Sequence, residues 1–366
     1  VKKLLIKTVA YQPKMTLIDM SVGKGGDMWK WYESKLSFVL GIDYSKANIE
    51  DRKDGACARY LNFRKKYRNA FKSIYLHGNS GMNYISNDAF YDDKSKRVFN
   101  SLMGLGEKDK DKIGKIVYNN YGLAKQGFDI VSNMFSIHYF FENFMALNEF
   151  MRNASDMAKV GSYFIGSCYD GRKVFNMLRN KTKGESEFIV EDEDKMWEIT
   201  KMYSDTKFEN NFSSVGYRID VYQESINKTF PEYLVNFDYL SEILELYGFE
   251  KLTVEELKQF GLKQSIGSFE NLYEKMKIDI DENRLNIDEI GNAMNLTDNE
   301  KKISYLNNYF IFKKGRNVDT NAVFNSSMAK YKDSGLLTEE EIAEKEKTLY
   351  TKKRDVIKYK RKIKLI

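Results

Sequence analysis

The chain has 366 residues, 31% of them charged and 14% aromatic, and its Lys+Arg 59 against Asp+Glu 53 give a net charge of +6. So many aromatics exclude a disordered chain, no run of about 18 uncharged apolar residues is present to span a membrane, and the mild basic excess admits a polyanionic partner without requiring one. Two cysteines, Cys57 and Cys168, and two histidines, His77 and His138, are too few for a disulfide framework or a four-cysteine zinc site, so the sequence predicts a folded, soluble protein of a reducing intracellular compartment with no metal.

The chain opens at Val1 with neither Met nor a charged-then-apolar leader, the beginning expected of a domain cut from a longer polypeptide. Residues 15–20 (MTLIDM) are a short apolar run meeting Gly23, Gly25 and Gly26, which predicts a buried parallel strand entering a tight turn, then a helix carrying Met28, Trp29 and Trp31. Residues 38–45 (FVLGIDYS) predict a second apolar strand ending in Asp43, so that 15–45 has the length of a β-α-β unit. Further strands are expected at 73–76, 128–135 and 162–169, with a helix between the last two. Between them, residues 91–126 break into charged and loop residues, including EKDKDK at 107–112, and predict a surface insertion. Residues 181–207, with the acidic run EDED at 191–194, are read as irregular and 217–225 (YRIDVYQES) as a strand, so that 181–235 forms an antiparallel excursion beside the sheet. Residues 237–252 have helical apolar spacing and stop at Gly248, and 308–315 (NYFIFKKG) reads as a closing strand. The predicted fold is α/β and doubly wound, one domain over 1–315, followed by a charged extension over 316–366 with a Thr338–Glu341 capping box and a basic end, TKKRDVIKYKRKIKLI.

The glycine turn is where a ligand is expected. Glycines remove the Cβ that would keep backbone away from a nucleotide-like molecule, and the helix that follows offers free N–H groups. Asp43 stands 20 residues after Gly23 at the end of the next strand, where a carboxylate can accept from ribose hydroxyls. A diphosphate fits poorly, because Met28 occupies the place of the third glycine of a dinucleotide turn and Asp27 stands beside it. A cationic sulfonium bearing adenosine and an amino acid fits better, with Asp19 or Asp27 serving the ammonium and Lys24 the carboxylate.

These residues carry a resemblance. Residues 17–31 (LIDMSVGKGGDMWKW) resemble the first motif of the messenger-RNA cap guanine-N7 methyltransferases, 133–143 (NMFSIHYFFEN) resemble the second, and 231–235 (PEYLV) a third. Order and spacing agree over roughly 1–315, and DGACARY with GSCYDG are most similar to the versions in the capping enzymes of large DNA viruses. The resemblance implies a mostly parallel seven-stranded sheet of the class I S-adenosylmethionine-dependent methyltransferase type, with insertions. It also implies transfer of a methyl group from S-adenosyl-L-methionine to N7 of the guanine of 5′-capped RNA (GpppN). Cap-forming triphosphatase and guanylyltransferase domains of the same polypeptide are the implied partners, and a viral member would work in the cytoplasm or virion.

By the same resemblance, Asp19, Gly23, Lys24, Asp27 and Asp43 meet S-adenosylmethionine. Asn79 stands where the family usually has an Asp for the adenine amine, and Asn133 with Met134 replaces a commoner Gln-Phe pair beside the sulfonium. His138 would donate to guanine O6, Tyr139 would wall the pocket, and Glu232 would accept from guanine N1–H and the exocyclic amine together. Arg59 and Lys3 would meet the cap triphosphate, and Tyr305 and Tyr309 are both candidates for a family tyrosine near the closing strand. None of these acts as acid or base, because guanine N7 carries a free lone pair; the residues orient. A small-molecule methyltransferase, or an inactive nucleic-acid-binding subunit of a capping complex, is the alternative. An amino-group DNA methyltransferase is disfavoured, since it would need a Pro-Pro-aromatic loop where 132–135 read Ser-Asn-Met-Phe.

Overall fold

In the computed structural model, which describes residues 1–191, 193–224, 226–286 and 290–336, the apolar run at 15–20 becomes strand β1 (Thr16–Asp19), buried throughout. Helix α1 (Lys2–Val9) precedes it, and α2 (Met28–Glu33), β2 (Phe38–Asp43), α3 (Lys46–Glu50), α4 (Ala56–Lys66) and β3 (Lys72–His77) follow. The predicted β-α-β unit is therefore present, β1 pairing parallel to β2 with Leu17 opposite Val39, and β2 pairing parallel to β3.

Residues 91–126 are not the loop the charges suggested. They hold α5 (Asp93–Leu102) and α6 (Lys110–Asn119), which bury Val98, Phe99, Leu102, Ile113 and Val117. Their apolar residues lie on one helical face, and the charged face turned to solvent is what a linear reading registers. Next come β4 (Phe128–Met134), a 3-10 turn (Ile137–Glu142), α7 (Phe144–Asp156), β5 (Ala158–Tyr169) and α8 (Gly171–Met177).

The stretch read as irregular at 181–207 is instead a hairpin, β6 (Ser186–Glu191) and β7 (Asp194–Lys201), continued antiparallel by β8 (Arg218–Gln223) and β9 (Lys228–Tyr233). Within EDED, Asp192 lies outside the described residues. The pattern is hard to read because β6 turns apolar residues outward, Phe188 being 58% and Val190 47% exposed, while only β7 covers Trp197 and Ile199.

The helix expected to stop at Gly248 does so, and the remainder of 237–252 is not helical. After α9 (Phe237–Leu246), Gly248 takes φ +85 and the chain turns into β10 (Phe249–Lys251), followed by α10 (Val254–Phe260), β11 (Ile266–Ser268), α11 (Phe269–Asp281), α12 (Asp298–Tyr305) and β12 (Asn307–Lys314). The central sheet runs β10-β12-β5-β4-β1-β2-β3, with β11 also on β12; β12 is antiparallel to β5, β10 and β11, and the pairings from β5 to β3 are parallel.

Alternation along the strands fills two cores. Ile18, Leu40, Val131, Phe164 and Phe310 join Phe99, Phe150 and Leu240 on one face. Their neighbours Leu17, Val39, Ile130, Ile165 and Ile311 join Leu5 and Trp31 on the other. A third cluster, with Phe175, Trp197, Ile199 and Leu234, mounts the small sheet on α8.

Beyond Gly315, α13 (Thr320–Asp333) packs along α7: Tyr331 stacks on Phe144 at 4.2 Å and Arg152 lies 4.2 Å from the Phe324 ring. The Thr338–Glu341 pair and the basic run at 351–366 lie outside the described residues. Among the described residues no helix is long and apolar enough to cross a membrane.

Candidate active site

The parallel strands deliver their carboxyl ends to one edge, and the residues expected to meet the cofactor, with His138 and Tyr139, stand at or just past those ends. After β1 the backbone is held into a turn by Met20 N donating to Ser132 O at 3.0 Å and Val22 N to Ile42 O at 3.0 Å. Gly23 (φ +55) and Gly25 (φ +70) take left-handed conformations, and a Cβ on Gly25 would stand 2.5 Å from Met28 Cε. The turn needs glycine for its path as well as for access.

Asp43 ties this turn to the next strand. Its Oδ2 accepts from Gly23 N at 2.7 Å, and its Oδ1 accepts from Ser45 N at 2.9 Å and Asn48 Nδ2 at 3.0 Å. A carboxylate has about four acceptor sites, so the protein fills most of them, and accepting from both ribose hydroxyls would require a donor to give way. Asn48 and Ser45 went unseen in the sequence, although Ser45 three residues before Asn48 is a helix-cap spacing.

Asp19 is buried, and its pKa is raised to about 7, first by burial and then by the Asp27 carboxylate, against the Ser21 amide and Lys2. Asp27 is held by Lys2 Nζ at 3.1 Å and Lys30 Nζ at 2.8 Å. Lys2, which nothing in the sequence singled out, also stands 5.5 Å from the Phe135 ring, so α1 closes over the turn. Lys24 turns outward to pair with Asp54; both side chains are over 40% exposed, and so open a pair is weak and readily exchanged for a ligand carboxylate.

Two asparagines complete this side. Asn79 follows β3, its Oδ1 accepting from Gly81 N at 2.9 Å, with Gly78 N bonded to Asp43 O. Asn133 is fully buried in β4; its Nδ2 donates to Ser21 Oγ at 3.1 Å, while its Oδ1 is buried with no hydrogen-bond partner. Two residues on, Phe135 holds φ +59, a left-handed conformation rare for an aromatic.

A second group gathers beside the first. The segments flanking the small sheet are tied to the 3-10 turn by Gly216 N donating to Phe141 O and to the start of α8 by Gly171 N donating to Val235 O, both at 2.9 Å. These ties bring Glu232 on β9 to His138, Oε2 to Nε2 3.7 Å. Burial lowers the His138 pKa to about 3 and raises that of Glu232 to about 7. Neither ring nitrogen of His138 makes a hydrogen bond. Tyr139 packs on His138 with ring centroids 4.2 Å apart and is 45% exposed. Its hydroxyl is pushed up to about 12 by burial and by the Glu232 and Asp43 carboxylates, which places it in the fields of both groups.

The remaining expectations fare unevenly. Arg59 is exposed on α4, whose first residue, Ala56, reaches to 3.6 Å of the Cβ position on Gly25. Lys3 is committed to Glu33 at 3.0 Å. Tyr309 is a core residue, 2% exposed, its hydroxyl donating to Gln264 O at 3.1 Å, and packed with Leu262, Phe269 and Leu272. Tyr305 ends α12 with its ring 6.0 Å from that of Tyr273.

The family model described as mRNA (guanine-N(7))-methyltransferase domain matches residues 1–315. A probable mRNA-capping enzyme of Acanthamoeba polyphaga mimivirus is 25% identical over 324 residues, 81% of this chain and 25% of that protein. The mRNA cap guanine-N(7) methyltransferase 1 of Arabidopsis thaliana is 24% identical over 71% of this chain and 60% of that protein. The mRNA cap guanine-N(7) methyltransferase of Saccharomyces cerevisiae is 25% identical over 73% of this chain and 53% of that protein. The chain thus spans a quarter of the length of the viral relative and little more than half of the other two.

Proposed function

Because the chain belongs to the mRNA (guanine-N(7))-methyltransferase family, we propose that it methylates N7 of the cap guanine of 5′-capped RNA, with S-adenosylmethionine as methyl donor. The observation that carries this reading is the buried His138–Glu232 pair, 3.7 Å apart, beside a glycine turn bound by Asp43. Glu232 offers two acceptor oxygens where burial makes unfilled acceptors costly, and guanine presents two adjacent donors, N1–H and its amine; adenine does not. His138 is neutral at physiological pH, so one ring nitrogen carries hydrogen and can donate to guanine O6. Tyr139 supplies the wall between the two groups, and Arg59 faces the triphosphate.

On the cofactor side the residues suit the molecule. The ammonium of an amino acid near Asp19 and Asp27 would offset the burial and the Asp27 repulsion that raise the Asp19 pKa to about 7. Lys24 can serve its carboxylate, Gly23 and Asp43 the ribose, Asn79 the adenine, and the unpartnered Asn133 Oδ1 a donor beside the reacting centre. The cofactor, when bound, supplies a methyl group activated by its sulfonium charge. The protein's part is alignment, which in favourable cases lowers a barrier by about 7 kcal/mol or more.

In this reading the methyltransferase domain spans 1–315 and 316–366 is an extension. Cap-forming triphosphatase and guanylyltransferase domains supply its substrate, in a reducing compartment, the cytoplasm or a virion, that suits the free thiols Cys57 and Cys168. Incubation with labelled S-adenosylmethionine and GpppRNA, with ApppRNA as control, tests the proposal: label enters GpppRNA alone. Cofactor binding without transfer would identify a scaffold subunit, and transfer only to small acceptors a metabolite enzyme.

A further inference from the structure

Residues 55–87 contain no Asp or Glu, yet they hold Arg59, Arg64, Lys65, Lys66, Arg68 and Lys72, in a chain whose charges otherwise nearly balance. On the structure this stretch is α4 and the strand after it, and all of these cations except the half-buried Arg64 are exposed. Set among them is an aromatic cluster. Trp29 on α2 is 45% exposed, and its ring lies 5.6 Å from Tyr32, 6.1 Å from Phe63 and 5.2 Å from Tyr67. Lys66 Nζ stands 5.3 Å from the centre of the Tyr67 ring.

Packing of α2 on α4 accounts for the three partly buried rings, but not for Trp29, left nearly half open with its indole bonded to the Glu33 carboxylate that Lys3 holds. Position adds a second argument. α4 starts against the glycine turn, and Arg59, Phe63 and Tyr67 follow at intervals of four, one side of the helix leading away from that turn and from Arg59, the proposed triphosphate contact. At the rise of an α-helix that row extends over about 12 Å.

We propose that this face of α2 and α4 is a track for the single-stranded RNA that follows the cap, with Trp29 as stacking platform and Lys65, Lys66 and Arg68 as phosphate contacts. Stacking accepts any base and phosphate contact ignores sequence, so the track takes RNA of any sequence, as a general capping substrate requires. The inference rests on the cap-methyltransferase reading and assigns the path of that enzyme's substrate.

The test compares the cap dinucleotide GpppA, a GpppA-capped oligomer of about 15 nucleotides and the same oligomer uncapped. The wild type is expected to show a lower KM for the capped oligomer than for GpppA, the difference shrinking as salt rises. Trp29→Ala, and separately the double variant Lys65→Glu/Lys66→Glu, should raise the oligomer KM by about tenfold while leaving GpppA kinetics and S-adenosylmethionine affinity unchanged. The charge variant alters exposed side chains only, so it keeps the test valid if Trp29→Ala weakens the fold. Fluorescence anisotropy with the uncapped oligomer separates this proposal from the one beneath it. If neither capped substrate is methylated, the cap reading fails and uncapped binding, lost in both variants, still supports the track. Equal oligomer binding by wild type and both variants overturns it.

Discussion

His138 Nε2 and Glu232 Oε2 lie 3.7 Å apart, and burial drives the two groups toward neutrality from opposite sides, the histidine down to about 3 and the glutamate up to about 7. They are therefore not an ion pair at neutral pH, and the acceptor capacity of Glu232 is left for a donor from outside. Glu232→Gln replaces one acceptor oxygen by a donor facing guanine. The expected result is a loss of about a hundredfold or more in kcat/KM for GpppRNA. S-adenosylmethionine affinity by equilibrium binding should stay unchanged; equal loss of both would remove Glu232 from the cap side.

The same residue sets a pH dependence. In the proposed role only an ionised Glu232 could accept from both guanine donors, so the KM for GpppRNA should fall as pH rises toward and through about 7, changing by about tenfold per unit on the acid side. Glu232→Gln should flatten that limb of the profile. An unchanged acid limb in the variant would assign it to another group.

Stability moves the other way. The Glu232 pKa is raised from 4.5 to about 7 by folding, so between those values the folded state holds a proton that the unfolded state has lost. The stability that Glu232 contributes is then full below 4.5 and is lost as pH rises through 7, by about 3 kcal/mol in all. Glu232→Gln, which cannot ionise, should melt above the wild type at pH 8 and close to it at pH 5, in thermal scans at matched ionic strength.

The same contrast explains what could be read beforehand. The β-α-β unit carried local signals: apolar runs in β1 and β2, glycines between them, and an aspartate at the end of the second strand. The β6–β7 hairpin did not, because Phe188 and Val190 face solvent and invert the usual alternation. β10, at three residues, is too short for any periodicity and follows a helix whose stop at Gly248 is set by a positive φ. At the site, the glycine turn and its aspartates were legible, but Lys2, Ser45 and Asn48 were not, nor were the commitments of the residues that were. Lys3 to Glu33, Lys24 to Asp54 and Tyr309 to Gln264 are contacts between segments distant in sequence, which spacing cannot disclose.

Tyr309 tests that distinction. Tyr309→Phe removes one hydroxyl donating to Gln264 O and should lower stability by about 1 kcal/mol in denaturant titration, with cap methylation kinetics unaltered. A rise in the KM for GpppRNA without a change in stability would return Tyr309 to the cap pocket.

Asp43 joins structure to binding most tightly. Its three bonds, from Gly23 N, Ser45 N and Asn48 Nδ2, fasten the glycine turn to the start of α3, and little acceptor capacity remains for a ligand. Asp43→Asn exchanges one acceptor oxygen for a donor in a site already crowded with donors. Whichever way the amide turns, at least one backbone N–H loses its partner, at a cost of about 1–3 kcal/mol. If Asp43 only braces the turn, affinity for S-adenosylmethionine should fall modestly and recover in a variant restabilised elsewhere. If its last acceptor site meets the ribose, affinity should fall by about tenfold or more, the cost of one charge-assisted hydrogen bond, and stay low after restabilisation. Calorimetric titration of Asp43→Asn against S-adenosylmethionine and its 2′-deoxy analogue decides between them. A ribose contact predicts that the wild type discriminates against the analogue and that the variant does not.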